Sequence, residues 1–195
     1  MHMHLLDKKD YRIKDSSIPN AGKGIFCKKD IPAGTIICYN TIVKKYLEVP
    51  EGEDPTYYMA TSYVENGKDK TLRNYITDGN PKYFKGKKKH LAAAAYVNEA
   101  SEFPPNCVFV TNPIVTKEDI IESYKNKRVL QACLLIVPFE VKKGEELFTM
   151  YGSHYDHRNY KQWRDRKGLK TKLIDEAHRL STDHSREVEW LLFNQ

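Results

Sequence analysis

The sequence predicts a mainly β fold that ends in an α-helical tail. From Tyr11 to Lys45, short segments of β-branched and aromatic residues alternate with turns at Pro19–Gly22 and Pro32–Gly34, a pattern typical of several short strands. Beyond Gly168, apolar residues instead recur at helical spacing. With 195 residues, 40% of them apolar, the chain is large enough to enclose one real core.

Local signals predict the first elements along the chain. Residues 1–10 mix His, Lys and Asp without periodicity and predict a poorly ordered start. Thr56–Val64 and Leu72–Thr77 flank an Asn66-Gly67 pair, which predicts a β-hairpin. Leu91–Val97 predicts either a short helix or a buried strand, because periodicity does not separate the two over so short a run.

Later segments carry both strand and helix signals. Val108–Val110 and Val129–Val137 predict buried strands, and the Thr116–Asp119 segment between them resembles a capping box that opens a short helix through Tyr124. The tail predicts a helix with a break near Ser181–Ser185. Its apolar face consists of Leu173, Ile174, Ala177, Leu180, Val188, Leu191 and Leu192.

Most of the net charge of +6 falls in one segment. Five lysines lie between Lys82 and His90, a stretch without acidic residues, so the rest of the chain is nearly neutral. Such a loop could contact nucleic-acid phosphates or be simply solvated. Acidic clusters at Glu48–Asp54 and Glu118–Glu122 could equally meet a basic partner.

The four cysteines are widely separated and lack the short spacing of a zinc knuckle, so we expect buried free thiols. No apolar run approaches the roughly 20 residues of a membrane-spanning helix. No apolar stretch near Met1 resembles a secretory signal. We therefore expect an intracellular protein without a membrane anchor.

Three segments, in order, resemble the SET-domain family of protein lysine methyltransferases. Ile18–Phe26 followed by Asp30–Gly34 resembles the family's opening glycine-containing turn and strand. Tyr96–Ala100 followed by Pro105–Cys107 is similar to the family's Asn-His-Ser-Cys-x-Pro-Asn motif. Phe139–Gly152 is similar to the family's Gly-Glu-Glu-Leu-x-x-x-Tyr-Gly ending, and this match is specific.

The resemblance implies a domain organisation. A SET domain spans residues 11–152, with a basic insertion near 82–90, and packs several small curved β-sheets. The family fold threads the segment ending near Tyr151 under the loop that contains Asn98. Residues 153–195 form a helical segment that covers the cofactor site, with a dimer or partner surface as the alternative use of its apolar face.

The cofactor implied by the resemblance is S-adenosylmethionine. Its implied contacts are Gly22, Lys23, Gly24, Tyr96, Asn98, Glu99, Tyr151 and Trp163. Gly22 and Gly24 would allow close backbone approach, and the Asn98 amide suits an ammonium and a carboxylate. The chain departs from the family at Glu99, where His is usual, and at Ala100, where Ser is usual.

Aromatic residues after the last motif could cover the adenine ring. Trp163 is preferred over Tyr155 and Tyr160 because its surface is largest, although it could instead simply anchor the tail. We predict no metal, because no cysteine follows Cys133 to build the zinc site that some family members carry. A polar turn explains His154, Asp156 and His157 more simply than metal ligation.

The resemblance also assigns the lysine channel. A substrate amine must be neutral to attack, and both an aromatic tube and the sulfonium disfavour its protonated form. Tyr151 is the implied catalytic tyrosine, with Tyr83 as a second channel tyrosine. We assign Tyr151 orientation and electrostatic stabilisation rather than strong base catalysis. Phe109 stands near the position where family members choose between Phe and Tyr, which predicts di- or trimethylation.

The function implied is therefore methyl transfer to a protein lysine, with a histone as the first candidate and another basic protein next. The rivals are a SET-fold scaffold without activity, favoured by Glu99 and Ala100, and a nucleic-acid or chromatin-binding module that uses Lys82–His90. A histone substrate implies the nucleus, with the cytoplasm as the alternative. The oligomeric state is left open between monomer and dimer.

Overall fold

The computed structural model describes residues 2–84, 92–100, 103–151, 163–164 and 168–193. The chain divides into two compact units, of which the first comprises Met1–Ile37, Tyr96–Val110 and Leu135–Gln195, and the second comprises Cys38–Ala95 and Thr111–Leu134. Within the described ranges, no helix has the length and apolar character needed to cross a membrane.

Short strands dominate the described structure, and helices follow mainly in the tail. The strands are β1 (His4–Leu5), β2 (Tyr11–Asp15), β3 (Lys23–Cys27), β4 (Thr35–Ile37), β5 (Thr41–Lys45), β6 (Tyr58–Glu65), β7 (Lys68–Asp78), β8 (Asn98–Glu99), β9 (Val108–Thr111), β10 (Val129–Leu130), β11 (Cys133–Val137) and β12 (Phe148–Thr149). The helices are α1 (Lys117–Asn126), α2 (Leu169–Asp183) and α3 (Ser185–Phe193). A mainly β fold with a helical tail is confirmed.

The first unit is built on small sheets. A four-stranded sheet has the order β1-β4-β11-β9, and two-stranded sheets join β2 to β3 and β8 to β12. Strand β11 is apolar along its length because it lies inside the four-stranded sheet, and Leu135, Ile136 and Val137 are fully buried. Bridges from Phe26 to Glu146 and from Ile31 to Val141 bring the first and third motif segments side by side.

The start of the chain differs from the sequence expectation. His4 and Leu5 pair in parallel with Thr35 and Ile36 of β4, and Lys8–Asp10 form a 3-10 turn, so regular structure begins before Tyr11. Met3 and Leu6 are buried on either side of this pairing. The physical reason is tertiary, since an edge strand of two residues gains its order from the sheet and from the apolar side chains that flank it.

The second unit contains the predicted hairpin. Strands β6 and β7 pair antiparallel around Asn66 and Gly67, both of which have positive φ, as a tight type I′ turn requires. Strands β5 and β10 complete the sheet in the order β10-β5-β7-β6. Helix α1 packs its buried Ile120 against Val43 and begins with the predicted capping box at Thr116.

Two ambiguous segments are resolved by the structure. Residues 92–96 form a short 3-10 helix, so of the two alternatives the short helix is confirmed and the buried strand is not. The tail forms α2 and α3 with a break at His184, as the spacing of its apolar residues predicts. Leu173, Ala177 and Val188 are among its buried residues.

All four cysteines are free thiols, as the sequence predicts. Burial raises the pKa of Cys27 and of Cys133 to about 12, and it raises the pKa of the fully buried Cys107 as well. These thiols therefore remain protonated at neutral pH and act as small apolar groups. The lysine-rich stretch 85–90 lies outside the described residues.

Candidate active site

The second and third motif segments meet in the first unit. Strand β8 runs parallel to β12, with Asn98 opposite Phe148 and Glu99 opposite Thr149. The pairing continues past β8, where the Ala100 N–H donates to the Thr149 carbonyl at 2.7 Å. Segments about 50 residues apart in sequence are thereby fixed against each other.

Asn106 binds the same third segment by a second route. Its Nδ2 donates to the Glu146 carbonyl at 2.9 Å, and its Oδ1 accepts the Phe148 N–H at 2.8 Å. An amide side chain carries a donor and an acceptor, so the Asn106 side chain makes the same two hydrogen bonds that a neighbouring strand would make. The Asn106 and Cys107 N–H groups both donate to the Phe148 carbonyl. The Pro105–Cys107 motif therefore anchors the residues that precede Tyr151.

Tyr151 is held at both ends by the segment around β8. Its hydroxyl donates to the Val97 carbonyl at 3.2 Å, and its backbone N–H donates to Glu99 Oε1 at 3.0 Å. Glu99 is buried, with 7% of its surface exposed. The residue that replaces the family's His thus has a defined contact, which the sequence did not indicate.

The opening glycine segment joins this site through Asn98. Asn98 Nδ2 donates to the Lys23 carbonyl at 3.0 Å. Gly22 has a φ of +73°, which disfavours other residues, and a side chain there would meet open space. Gly22, Lys23 and Asn98, predicted as cofactor contacts from separate motifs, therefore lie together.

Gly24 has a different reason for being glycine than the sequence suggested. A Cβ at Gly24 would overlap with Glu146 Oε1, so the missing side chain makes room for this carboxylate. Glu146 is buried and accepts from Ser16 Oγ at 2.6 Å, from the Ser17 N–H at 2.7 Å and from Ser17 Oγ at 2.5 Å.

Glu146 is a site-supporting residue that the sequence reasoning missed. It was visible only as one of the two acids in the Gly-Glu-Glu-Leu motif, without an assigned partner. Its bonds to the Ser16-Ser17 turn fix the chain that leads into Gly22 and Gly24. The third motif therefore positions the first, in addition to carrying Tyr151.

The remaining predicted residues of the first unit are placed as follows. The Trp163 N–H donates to the Ala100 carbonyl at 3.1 Å, which ties the start of the tail to the site strand. Tyr96 and Phe109 are half-buried, and Phe109 lies on β9.

Several predicted residues lie outside the described residues: Gly152, His154, Tyr155, Asp156, His157 and Tyr160. Elsewhere in the described chain, no cluster of three or more His, Cys, Asp or Glu is arranged to hold a metal ion.

Tyr83 belongs to the second unit and is part of a polar cluster there. Its hydroxyl donates to Asp78 Oδ2 at 3.0 Å. Lys44 Nζ lies 2.9 Å from both Asp78 Oδ2 and Glu53 Oε1, and 3.3 Å from the Tyr58 hydroxyl. The tyrosine is therefore fixed by the buried Asp78 carboxylate, which the half-buried Lys44 ammonium neutralises.

Contacts within this cluster shift the pKa values of its members. Burial alone would lower the pKa of Lys44, but its hydrogen bonds to Glu53, Asp78 and the two tyrosines together raise it above its ordinary value. The hydrogen bond from Lys44 lowers the pKa of Glu53 to about 2. Burial, followed by the hydrogen bond to Glu53, raises the pKa of Tyr58 to about 12. At neutral pH, Lys44 and Glu53 are both charged and Tyr58 is neutral.

Replacing Glu53 with glutamine is expected to weaken the dependence of stability on acid pH. Because the folded pKa of Glu53 is about 2 against an ordinary 4.5, the unfolded chain binds more protons between these values. The contribution of Glu53 is complete above its ordinary pKa and is lost as pH falls toward 2. Urea unfolding between about pH 5 and pH 3 measures the slope. Glu51→Gln, in the same loop, is the control, and equal slopes for both variants and the wild type would refute this reading.

These observations define a class of fold: small β-sheets in which three motif segments are hydrogen-bonded to one another, with Tyr151 at the end of the third. The family model for the SET domain matches residues 22–152, well over half of the chain, and the protein belongs to the SET-domain family, a family of methyltransferases.

A search of curated protein sequences gave no match. Among solved structures, the crystal structure of a Plasmodium falciparum protein, provisionally named a histone methyltransferase, superposes with a TM-score of 0.45 at 18% identity. The alignment covers 74% of this chain and 99% of that one. A likeness of this degree carries no information on substrate.

Proposed function

We propose that the protein is an S-adenosylmethionine-dependent methyltransferase that acts on a lysine side chain of a basic protein, a histone first. The observation that carries this proposal is the anchoring of Tyr151 on Val97 and Glu99, next to the contact between Asn98 and Lys23. Membership in the SET-domain family supplies the reaction class. The choice of lysine and of histone rests on the family resemblance.

The residues present fit the amino-acid end of the cofactor. Asn98 donates its amide N–H to Lys23, which leaves its amide oxygen to accept from an ammonium group. The open space beside Gly22 allows a ligand to reach the main chain at this residue. When bound, S-adenosylmethionine would supply a methyl group activated by a positive sulfur.

Tyr151 would orient and stabilise the substrate amine. A hydroxyl that donates its proton to a carbonyl, as Tyr151 does to Val97, acts toward other groups as a hydrogen-bond acceptor. An acceptor of this kind can bind an amine N–H and direct the nitrogen lone pair toward the methyl group. The developing positive charge on nitrogen is also favoured beside an oxygen lone pair.

A histone substrate draws little support from the surface charges. Glu53 of the acidic Glu48–Asp54 cluster is bound to Lys44, and Glu48 accepts from the Tyr124 hydroxyl. These acids are therefore partly neutralised within the second unit. If the substrate is a histone, we propose that the protein acts in the nucleus, on chromatin.

Calorimetric titration with S-adenosylmethionine tests the cofactor part of the proposal. The wild type is expected to bind the cofactor, and Asn98→Ala is expected to weaken binding about tenfold or more, because a hydrogen bond to a charged group is lost. Asn126→Ala, at an exposed position on α1, is the control and should bind as the wild type. Absence of binding by the wild type would contradict the proposal.

Incubation with methyl-labelled cofactor and a panel of histones and other basic proteins tests the transfer. Label on a histone supports the proposal in full, and label only on another basic protein retains the enzyme but replaces the substrate. Cofactor binding without transfer to any protein would instead favour a scaffold that has lost catalysis.

The product is expected to carry two or three methyl groups. Phe109 lacks a hydroxyl, so it cannot hold a water or the amine in the space that further methyl groups need. Phe109→Tyr is expected to shift the product to monomethyl-lysine. Mass spectrometry of a saturated peptide measures the distribution, with the exposed Phe139→Tyr as control. A wild type that makes only monomethyl product would remove this role from Phe109.

A further inference from the structure

We propose that Glu99 is a positioning residue for Tyr151, and that its carboxylate fixes the tyrosine backbone in the orientation that methyl transfer requires. This inference rests on the proposed function. Its basis is the hydrogen bond from the Tyr151 N–H to Glu99 Oε1 at 3.0 Å, made by a glutamate that is 7% exposed.

Two anchors determine the orientation of Tyr151. The hydroxyl is fixed on the Val97 carbonyl and the backbone N–H is fixed on the Glu99 side chain, so one bond acts at each end of the residue. Loss of the Glu99 bond would leave the tyrosine backbone less constrained, so the direction of the ring would be less well defined. The Glu99 contact therefore restricts the orientation of the tyrosine as well as its position.

Strand pairing near Tyr151 ends before the tyrosine itself. Ala100 pairs with Thr149, and Asn106 binds Phe148, so the ladder of β12 is complete two residues before the tyrosine. Beyond β12, the hydrogen bond from the Tyr151 N–H to Glu99 Oε1 continues the alignment to residue 151. The Glu99 side chain therefore extends the pairing of β8 with β12 to Tyr151, the residue expected to contact the substrate amine.

A carboxylate suits this task better than the histidine that the family resemblance expects. A glutamate side chain offers two oxygens that can accept the backbone N–H. A neutral imidazole has one acceptor nitrogen and offers it in only one tautomer. Glu99 thus has a function of its own at the position where the chain departs from the family.

Kinetics of Glu99 variants test the proposal. Glu99→Met keeps the volume and removes the acceptor, and we expect kcat to fall about 10- to 100-fold, the scale of a small misplacement of a catalytic group. The cofactor dissociation constant should change by less than about threefold, since the substitution leaves the Glu99 backbone in place and the lost side-chain bond concerns Tyr151. Glu99→Gln keeps an acceptor oxygen and should recover most of kcat. Glu145→Ala is the control, because this exposed carboxylate also accepts a backbone N–H, that of Lys142.

A double-mutant cycle with Tyr151→Phe separates positioning from a structural role. If Glu99 acts through the oriented tyrosine hydroxyl, Glu99→Met should lower kcat little further in the Tyr151→Phe background. Losses that multiply in the double variant would overturn the proposal, as would a Glu99→Gln variant as slow as Glu99→Met. Should Glu99→Met not fold, the same cycle with Glu99→Gln applies, and its smaller loss must also vanish in the Tyr151→Phe background.

Amide hydrogen exchange at Tyr151 separates this inference from the proposed function. The Tyr151 N–H should be protected in the wild type and in Glu99→Gln, and should exchange much faster in Glu99→Met. Equal exchange in the wild type and in Glu99→Met overturns the positioning contact, whatever the activity. The wild type could also transfer no methyl group while protection of the Tyr151 N–H still depends on Glu99. That result refutes the proposed function but retains the positioning contact.

Discussion

Replacing Gly24 with alanine is expected to destabilise the protein by about 3 kcal/mol or more, because overpacking is combined with disruption of a buried carboxylate. The new Cβ would overlap with Glu146 Oε1, so the carboxylate must leave its place. The bonds it accepts from Ser16 and Ser17 would then be strained or lost. Urea unfolding followed by circular dichroism measures the change.

Two further variants identify the cause of that loss. In a Glu146→Ala background the overlap is absent, so Gly24→Ala should there cost less than about 1 kcal/mol. Gly22→Ala has open space around the new methyl group and is expected to cost only the left-handed backbone penalty of about 1–2 kcal/mol. An equal cost for Gly24→Ala in both backgrounds would show that Glu146 is not the obstacle.

Tyr151→Phe is expected to lower kcat about 100-fold or more while leaving the fold intact, in line with the loss of one group that stabilises a transition state. The substitution removes the hydroxyl and its bond to Val97, whereas the backbone bond to Glu99 remains. The cofactor dissociation constant should stay within about threefold of the wild type, because the effect falls on the substrate amine.

Tyr124→Phe provides the matched control. The Tyr124 hydroxyl also makes a hydrogen bond, to Glu48, but on the second unit and outside the candidate site. Full activity in this variant together with loss in Tyr151→Phe assigns the effect to the site. Similar activity in Tyr151→Phe and the wild type would remove Tyr151 from catalysis.

Elements with strong local signals could be predicted from the sequence. The Asn66-Gly67 turn and the Thr116 capping box are decided by neighbouring residues, since each stabilises backbone geometry within a few positions. The two tail helices follow from the spacing of Leu173, Ala177 and Leu180. The β1 strand was not predicted, because its order comes from pairing with β4 and not from its own composition.

The candidate site was predicted in its motif residues but not in the contacts that support them. Asn98, Lys23 and Tyr151 were found because their motifs resemble a known family. The bonds of Glu99 to Tyr151 and of Glu146 to the Ser16-Ser17 turn were not, because each joins residues more than 50 positions apart. Local patterns carry no information on such pairs, and the family's usual residue at position 99 is a different one.

We expect Tyr151 and the segments around it to direct a methyl group to a lysine amine. Mass-spectrometric mapping of histones after incubation with the protein and S-adenosylmethionine tests it most directly. We predict methyl groups on the side-chain nitrogen of a lysine with the wild type, and at least about 100-fold slower methylation with Tyr151→Phe. Methylation of another kind of residue, or none on any protein by an enzyme that binds the cofactor, would contradict the account.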